Sequence, residues 1–543
     1  MRRRSPAVAV ALLFATAGRS SAQHPLVGLP LDDPAYHQLS GLEHQGCRSA
    51  RISPFRPFLI GRLRHSLGEA VRDSACSGPV LQALLSRFGT DSSSARLEPS
   101  GTRPDSASAF TVGAEGTLRA TGLGAGEFHP LWRDVRPIAE GDPPAVGIVR
   151  GRVSWSGGPR AVAVAQIFAQ SDRRNDPHIR ARAFRSTSGV LDFDDSYLSG
   201  SAGLLTVSVG RSSEAWLGED RESLMLSAHG PPLDRILASA HWSRWEARAL
   251  VGSINDVLLD QTRDSLAPDI TPPRYHRFIA AHALTVHATP ALELTVGETA
   301  LITSRGGGFD LAFANPATLF VIAEHDTSRS GAGADDNNLT AFAGIHIASG
   351  HVTVSGELTV DDIQIDAADR QRLPDQLAWR VETTYGLPVT VPASVGLRYQ
   401  RIDSYTYLRS PYALAYQQYD QPLGSMLGPD ADIFRASAEI YPNGRLRLSG
   451  GLAHWRRGSL RIDQRPGPSA LGHANEPYPA VGGDRPGMQS AWLGDAAVEW
   501  LDGVMPLTFR AEAAHIRNVN NQPLAAGTYF RVQFVGSYRV RLF

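Results

Sequence analysis

Over residues 528–542 apolar and polar side chains alternate one by one: Phe530, Val532, Phe534, Tyr538, Val540 and Leu542 on one face, Arg531, Gln533, Ser537, Arg539 and Arg541 on the other. A period of two marks a β-strand, whose successive side chains point to opposite faces. The same pattern runs through 507–513, where Leu507, Phe509, Ala511 and Ala513 alternate with Thr508, Arg510 and Glu512. It returns in 492–500, with Trp492, Ala496, Val498 and Trp500 set against Asp495 and Glu499. In 379–385 Trp379, Val381 and Tyr385 share one face and Arg380 and Glu382 the other. From Phe110 onward such segments recur about eighteen times at roughly 9 to 16 residues each, where about 9–11 residues cross a bilayer core. A one-residue slip would turn the Arg side chains into lipid, at about 2–4 kcal/mol each near the midplane, so the register is strongly specified.

The connectors agree. Tight turns are expected at 157–159, 199–201, around His241, at Pro290, 349–350, 386–392, 441–444 and 502–503. Longer connectors fall between them at 121–144, 171–187, 212–232, 256–273, 304–337, 364–375, 405–429, 458–488 and 518–526. Short and long therefore alternate, as in bacterial barrels with short periplasmic turns, long outer loops and an even strand number. A soluble sandwich or propeller also has short alternating strands, but gives no reason for one-sided loop lengths. The expected fold is all-β: a transmembrane antiparallel β-barrel of about eighteen strands over residues 108–543.

The N-terminal part is different. Arg2, Arg3 and Arg4 precede the apolar run Ala7 to Ala17 and the small residues Ser20-Ser21-Ala22, the layout of a signal peptide over residues 1–22. Residues 23–107 are expected to form a small helical unit and a tether, on the periplasmic side. One helix starts after Asp33-Pro34 with Tyr36, Leu39 and Leu42 on a stripe and Gly46 as its cap. A second opens at Pro57 with Phe58, Leu63 and Leu67, and a third at Pro79 with Leu81, Leu84, Leu85 and Phe88. Ser, Pro and Gly dominate 91–108. Cys47 and Cys76, the two cysteines of the chain, either pair in an oxidising compartment or stay as buried thiols.

A formal net charge of −1 gives no basic face for nucleic acid. There is no Gly-x-Ser-x-Gly elbow, no His-Glu-x-x-His and no Walker loop, and the seventeen His residues show no ligand spacing. An enzyme, a metal and a cofactor are therefore not expected. The charges Arg380, Glu382, Arg435, Glu439, Arg445, Arg447, Asp495, Glu499, Arg510 and Glu512 mix signs, which suits ladders that stiffen the wall better than a strongly ion-selective pore. In the 212–232 loop Trp216, with Arg211 and Glu214 nearby, could stack on a sugar while the charges take its hydroxyls, or simply pack the loop into the barrel mouth. Asp335, Asp336, Asn337 and Asn338 offer hard oxygen atoms to sugar hydroxyls or Ca²⁺, or form an ordinary turn. Asp361 and Asp362 should face opposite sides of their strand and so cannot act as a carboxylate pair.

Several segments in order resemble the Wzi family of capsule-assembly outer-membrane proteins. They are Tyr36, Leu39, Leu42 and Gly46 before Arg56-Pro57-Phe58; Val209-Gly210-Arg211, Trp216-Leu217-Gly218, Leu224-Met225-Leu226-Ser227 and Pro231-Pro232-Leu233; Phe313-Ala314-Asn315-Pro316; and Gly356-Glu357-Leu358 leading into Asp361-Asp362-Ile363. The resemblance implies a helical periplasmic part on an eighteen-strand barrel, and a lectin-like surface protein that holds capsular or extracellular polysaccharide. The expected partners are outer-membrane lipid, that polysaccharide, and the barrel-assembly machinery during insertion. The alternative is a general diffusion porin, since an open barrel of this size is wide enough to conduct.

Overall fold

The computed structural model describes residues 24–89, 109–124, 145–171, 189–218, 222–258, 274–304, 308–323, 337–363, 375–409, 412–419, 421–462 and 488–541. The expected signal peptide, the tether at 91–108 and Asp335-Asp336 lie outside these residues.

Eighteen antiparallel strands close into one barrel. They are β1 Ala109–Gly124, β2 Ala145–Ser156, β3 Ala161–Ser171, β4 Gly189–Ala202, β5 Leu205–Ser212, β6 Leu233–Trp242, β7 Trp245–Leu258, β8 Arg274–Thr289, β9 Leu292–Ser304, β10 Asn337–Ser349, β11 Val352–Asp362, β12 Gln376–Gly386, β13 Ala393–Ile402, β14 Ala431–Asn443, β15 Leu446–Arg457, β16 Gln489–Trp500, β17 Leu507–Arg517 and β18 Ala526–Arg541. The last strand pairs with the first, from Gly113 opposite Arg541 to Gly124 opposite Phe530. Closure leaves no open edge, which a sheet in lipid requires because water cannot satisfy unpaired backbone there. Among the described residues no helix is long and apolar enough to cross a membrane.

The alternation sets the two faces. Trp379, Val381, Trp492, Val498, Phe530 and Phe534 are exposed on the outside, while Arg380, Glu499, Glu512, Arg531 and Gln533 are buried inside. The inward charges form ladders: Arg435–Asp495 at 2.7 Å, Arg380–Glu382 at 2.6 Å, Arg447–Glu439 at 2.9 Å, and further pairs Arg447–Glu499 and Arg531–Glu512. Arg445 is not among them; it sits in the 444–445 turn, 3.6 Å from Asp502 and largely exposed. Short and long connectors alternate, and two turns fall a few residues later than expected, at 203–204 and 243–244, because β4 and β6 extend to Ala202 and Trp242.

Three helices precede the barrel: α1 Ala35–His44, α2 Ile60–Arg72 and α3 Pro79–Phe88. Helix α1 ends at Gly46 with φ of 93° and α3 at Gly89 with φ of 72°, conformations that glycine adopts without strain. The second helix begins at Ile60, not at Pro57. Phe58 is held extended instead, its N–H donating to the Tyr36 hydroxyl and its carbonyl accepting from Leu29 N–H. A disulfide joins Cys47 to Cys76 across 29 residues. Opening it by Cys47→Ser with Cys76→Ser is expected to lower the stability of the helical unit by about 3 kcal/mol through restored chain entropy. Limited proteolysis of the folded protein would read this as faster cleavage within 24–89; an unchanged rate would contradict it.

The helices seat in the short-turn mouth of the barrel. Gly386 has the His44 carbonyl against it, where a Cβ would come within 1.7 Å. Glu43 meets His346 at 2.7 Å, His44 meets Glu439 at 3.2 Å, Arg51 meets Glu293 at 2.8 Å and Arg62 meets Glu246 at 3.0 Å. These links come from five different strands between β7 and β14, so the unit is fixed across a broad arc of the wall.

Candidate functional site

The lumen is filled from both ends. From the short-turn end, residues 53–56 reach inward, and Phe55-Arg56 pairs as a short ribbon with Ala215-Trp216 of the long 213–232 connector. The Leu217 N–H donates to the Pro54 carbonyl at 2.8 Å. From the long-loop end, the 403–430 connector folds over the 213–232 segment. Tyr407 donates its hydroxyl proton to the Leu224 carbonyl, and Ser227 N–H donates to the Leu423 carbonyl at 2.8 Å. Gly424 is needed at this crossing, because a Cβ there would meet the Leu224 carbonyl at 2.3 Å.

Wall side chains hold these segments by their backbones. Glu357 of β11 accepts the N–H groups of Gly218 and Leu224, each at 2.9 Å. Arg380 of β12 donates to the Glu222 carbonyl at 2.7 Å. Asp361 accepts Tyr407 N–H at 3.1 Å and the Thr340 hydroxyl at 3.0 Å. Arg277 of β8, almost fully buried, donates to the carbonyls of Ala413, Ala415 and Gln417 at 2.6, 2.6 and 3.0 Å. Charged partners make these the stronger class of hydrogen bond. Tyr407 and Tyr416 stack with ring centroids 5.7 Å apart. Burial raises both phenols above their ordinary range, so neither ionises near neutral pH.

Between the segments lies one apolar core containing Phe55, Trp216, Leu224, Met225, Tyr407, Leu414, Tyr416 and Leu423, together with wall residues such as Leu250, Ile279, Leu301 and Phe342. Trp216 is completely buried, with Phe55 at 5.3 Å and Phe342 at 6.3 Å, both edge-on. It therefore offers no face to a surface sugar, a correction to the first of the two readings of this residue. Glu214 is buried too, against Arg235 at 2.6 Å and Arg248 at 3.5 Å. Arg211 does not join them. It pairs at the rim with Asp234, at 2.8 and 2.7 Å, and with Asp192 at 3.2 Å, in the outward register of Val209 and Ile236.

Asn337 and Asn338 also part company. Asn338 stands opposite Leu301 on the inward face and donates to the Leu414 carbonyl at 3.3 Å, while Asn337 stands opposite Ile302 on the outward face. A strand cannot bring neighbouring side chains to one ligand, so the two do not form a joint site. Asp361 and Asp362 do not follow the simple alternation expected of them: the β11–β12 register shifts between Val360 and Asp362, which sets Asp362 opposite the buried Gln376, and Asp362 lies 3.6 Å from Arg409. The residues that sequence reasoning missed, Arg277 and Glu357 as plug anchors, carry no local signal: a buried Arg and Glu look like any other inward charge until the segments they hold are folded in.

The sequence matches no family model and no curated protein. Its fold, however, is that of a known barrel. Escherichia coli Wzi, described as an outer membrane protein involved in group 1 capsule assembly and a carbohydrate-binding β-barrel, overlays with a TM-score of 0.58, covering 93% of this chain and 98% of Wzi. Identity is 11%, so the likeness is one of fold. Pseudomonas aeruginosa OpdQ and OprD each overlay at a TM-score of 0.41, over 80% of this chain, with 9% and 8% identity. The fold is thus an outer-membrane-type β-barrel with helices at its N-terminal side.

Proposed function

We propose that this chain is an outer-membrane protein that holds a capsular or extracellular polysaccharide at the cell surface, with its long loops outward and its helical unit in the periplasm. The observation that carries the reading is the apolar core inside the lumen, in which Phe55 from one end meets Trp216 from the other and Tyr407 joins the same cluster. A diffusion path needs a water-filled lumen lined by polar side chains, as in porins. Here that space is taken by packed side chains, and wall charges that would line a pore are spent on holding the plug. The likeness of fold to a carbohydrate-binding barrel supports the same reading. Contacts to the polysaccharide fall to the rim and outer loops, where Arg211, Asp335 and Asp336 remain the candidates, rather than to Trp216 or Glu214.

Two measurements separate the readings. Purified protein in liposomes is expected to give no swelling in small sugars; free passage would make it a porin. A strain lacking the protein is expected to shed surface polysaccharide with its permeability unchanged, and complementation with Arg211→Ala, Asp335→Ala and Asp336→Ala combined should restore retention only in part. Full retention in the deletion strain would sink the proposal, and full restoration by the triple variant would remove those three residues.

A further inference from the structure

The described part of the connector between β9 and β10 does not rise away from the barrel. Residues 308–323 fold back over the outer wall, as a short turn of helix at Leu311–Ala314 followed by an Asn315-Pro316 turn and a second helical start at Phe320. Phe309 packs edge-on against Phe278 of β8 with centroids 5.6 Å apart, and Phe313 and Phe320 pack against each other at the same distance. The covered strand positions are outward ones. Ala280 and Ala300 are completely buried, although Leu284 and Val296, farther along the same face, are 36% and 57% exposed.

Under this cover sits a polar pair that has no business facing lipid. His282 and Glu298 stand opposite each other in the β8–β9 register, on the outward face, with Nε2 2.9 Å from Oε1. Ionisable groups turned toward the hydrocarbon of a bilayer are costly. Phe320 removes the exposure twice: its ring lies 4.4 Å from the His282 ring, and its N–H donates to Glu298 Oε1 at 2.9 Å. The upper side of the same segment is apolar. Leu311, Leu319, Val321 and Ile322 are 77%, 55%, 47% and 52% exposed, a composition unsuited to a loop bathed in water.

We propose that residues 308–323 form an external clasp embedded in the membrane, whose Leu311, Leu319, Val321 and Ile322 contact lipid acyl chains while Phe320 seals the His282–Glu298 pair from them. Lipid is the occupant because the exposed side chains continue the apolar outer surface of the strands beneath, where Leu284, Val296 and Ile345 already face the bilayer. The clasp makes a stretch of wall lipid-compatible that its own strands do not.

The chain has two cysteines, both in the disulfide, so single engineered cysteines can be spin-labelled selectively. Leu319→Cys and Ile322→Cys are labelled in protein reconstituted into phosphatidylcholine vesicles, with Val296→Cys as the lipid-facing reference and Val71→Cys on α2 as the exposed one. Heat-modifiable migration confirms that each barrel is folded. Collision with oxygen relative to a water-soluble nickel chelate is expected to match the Val296 label and to exceed the Val71 label several-fold. A ratio like that of Val71 would overturn the proposal. So would low access to both reagents with dipolar broadening between labels, which would mean that a second copy covers the patch.

Discussion

Arg277→Ala is expected to give a conducting barrel, where the proposed function expects the parent to be silent. Arg277 is a nearly fully buried cation whose guanidinium binds three alternate carbonyls of one segment, those of Ala413, Ala415 and Gln417. Each hydrogen bond to a charged group contributes roughly 1.5–3 kcal/mol, and each buried carbonyl left unpaired costs about 1–3 kcal/mol. With three carbonyls losing their partner, the total loss is on the order of 3–9 kcal/mol. It falls on the 403–430 segment, while the strand ladders of β8 with β7 and β9 keep their own bonds. The barrel should stay folded while the upper layer of the plug loosens. Planar bilayer recordings should show stepwise current where the parent protein is expected to show none; a variant that remains silent, with its unfolding temperature unchanged, would mean that Arg277 does not hold the plug.

The second large effect concerns Trp216. Truncation to alanine removes the side chain on which both halves of the plug close, with Phe55 and Phe342 left facing a cavity. Large-to-small changes of this kind cost about 3–5 kcal/mol. Trp216→Phe should cost far less, because the ring remains and the indole N–H, buried without a hydrogen-bond partner among the described residues, is removed. Thermal unfolding followed by near-ultraviolet circular dichroism would rank the three proteins. If alanine and phenylalanine prove equally stable while both lose polysaccharide, Trp216 acts on the glycan in some conformation other than this one, and its role as core would be wrong.

Both effects arise where the sequence is silent, and the contrast with the wall is instructive. The faces of β12, β16 and β18 were readable from Trp379, Trp492 and Phe530 set against Arg380, Glu499 and Arg531, because a strand's period of two is enforced residue by residue and lipid penalises each error separately. The long connectors have no such period. Whether residue 216 ends at the rim or in the buried core depends on Pro54, far earlier in the chain, and on Glu357, 139 residues from the Gly218 N–H it accepts. The split of Asn337 from Asn338 was likewise hidden, since a run of Asx residues reads as a turn until β10 is known to start at Asn337.

By itself, then, the sequence determined the barrel: its strand number, the face each strand turns to lipid and the alternation of short and long connectors, all properties that follow from local periodicity and a low-dielectric surround. It also marked the helices through their apolar stripes and glycine ends. Only the tertiary structure decided that the 213–232 and 403–430 connectors pack into the lumen, that Trp216 is core and not platform, and that residues 308–323 lie on the wall. Those outcomes rest on contacts between segments distant in sequence, formed inside or against a barrel that must close before the partners can meet.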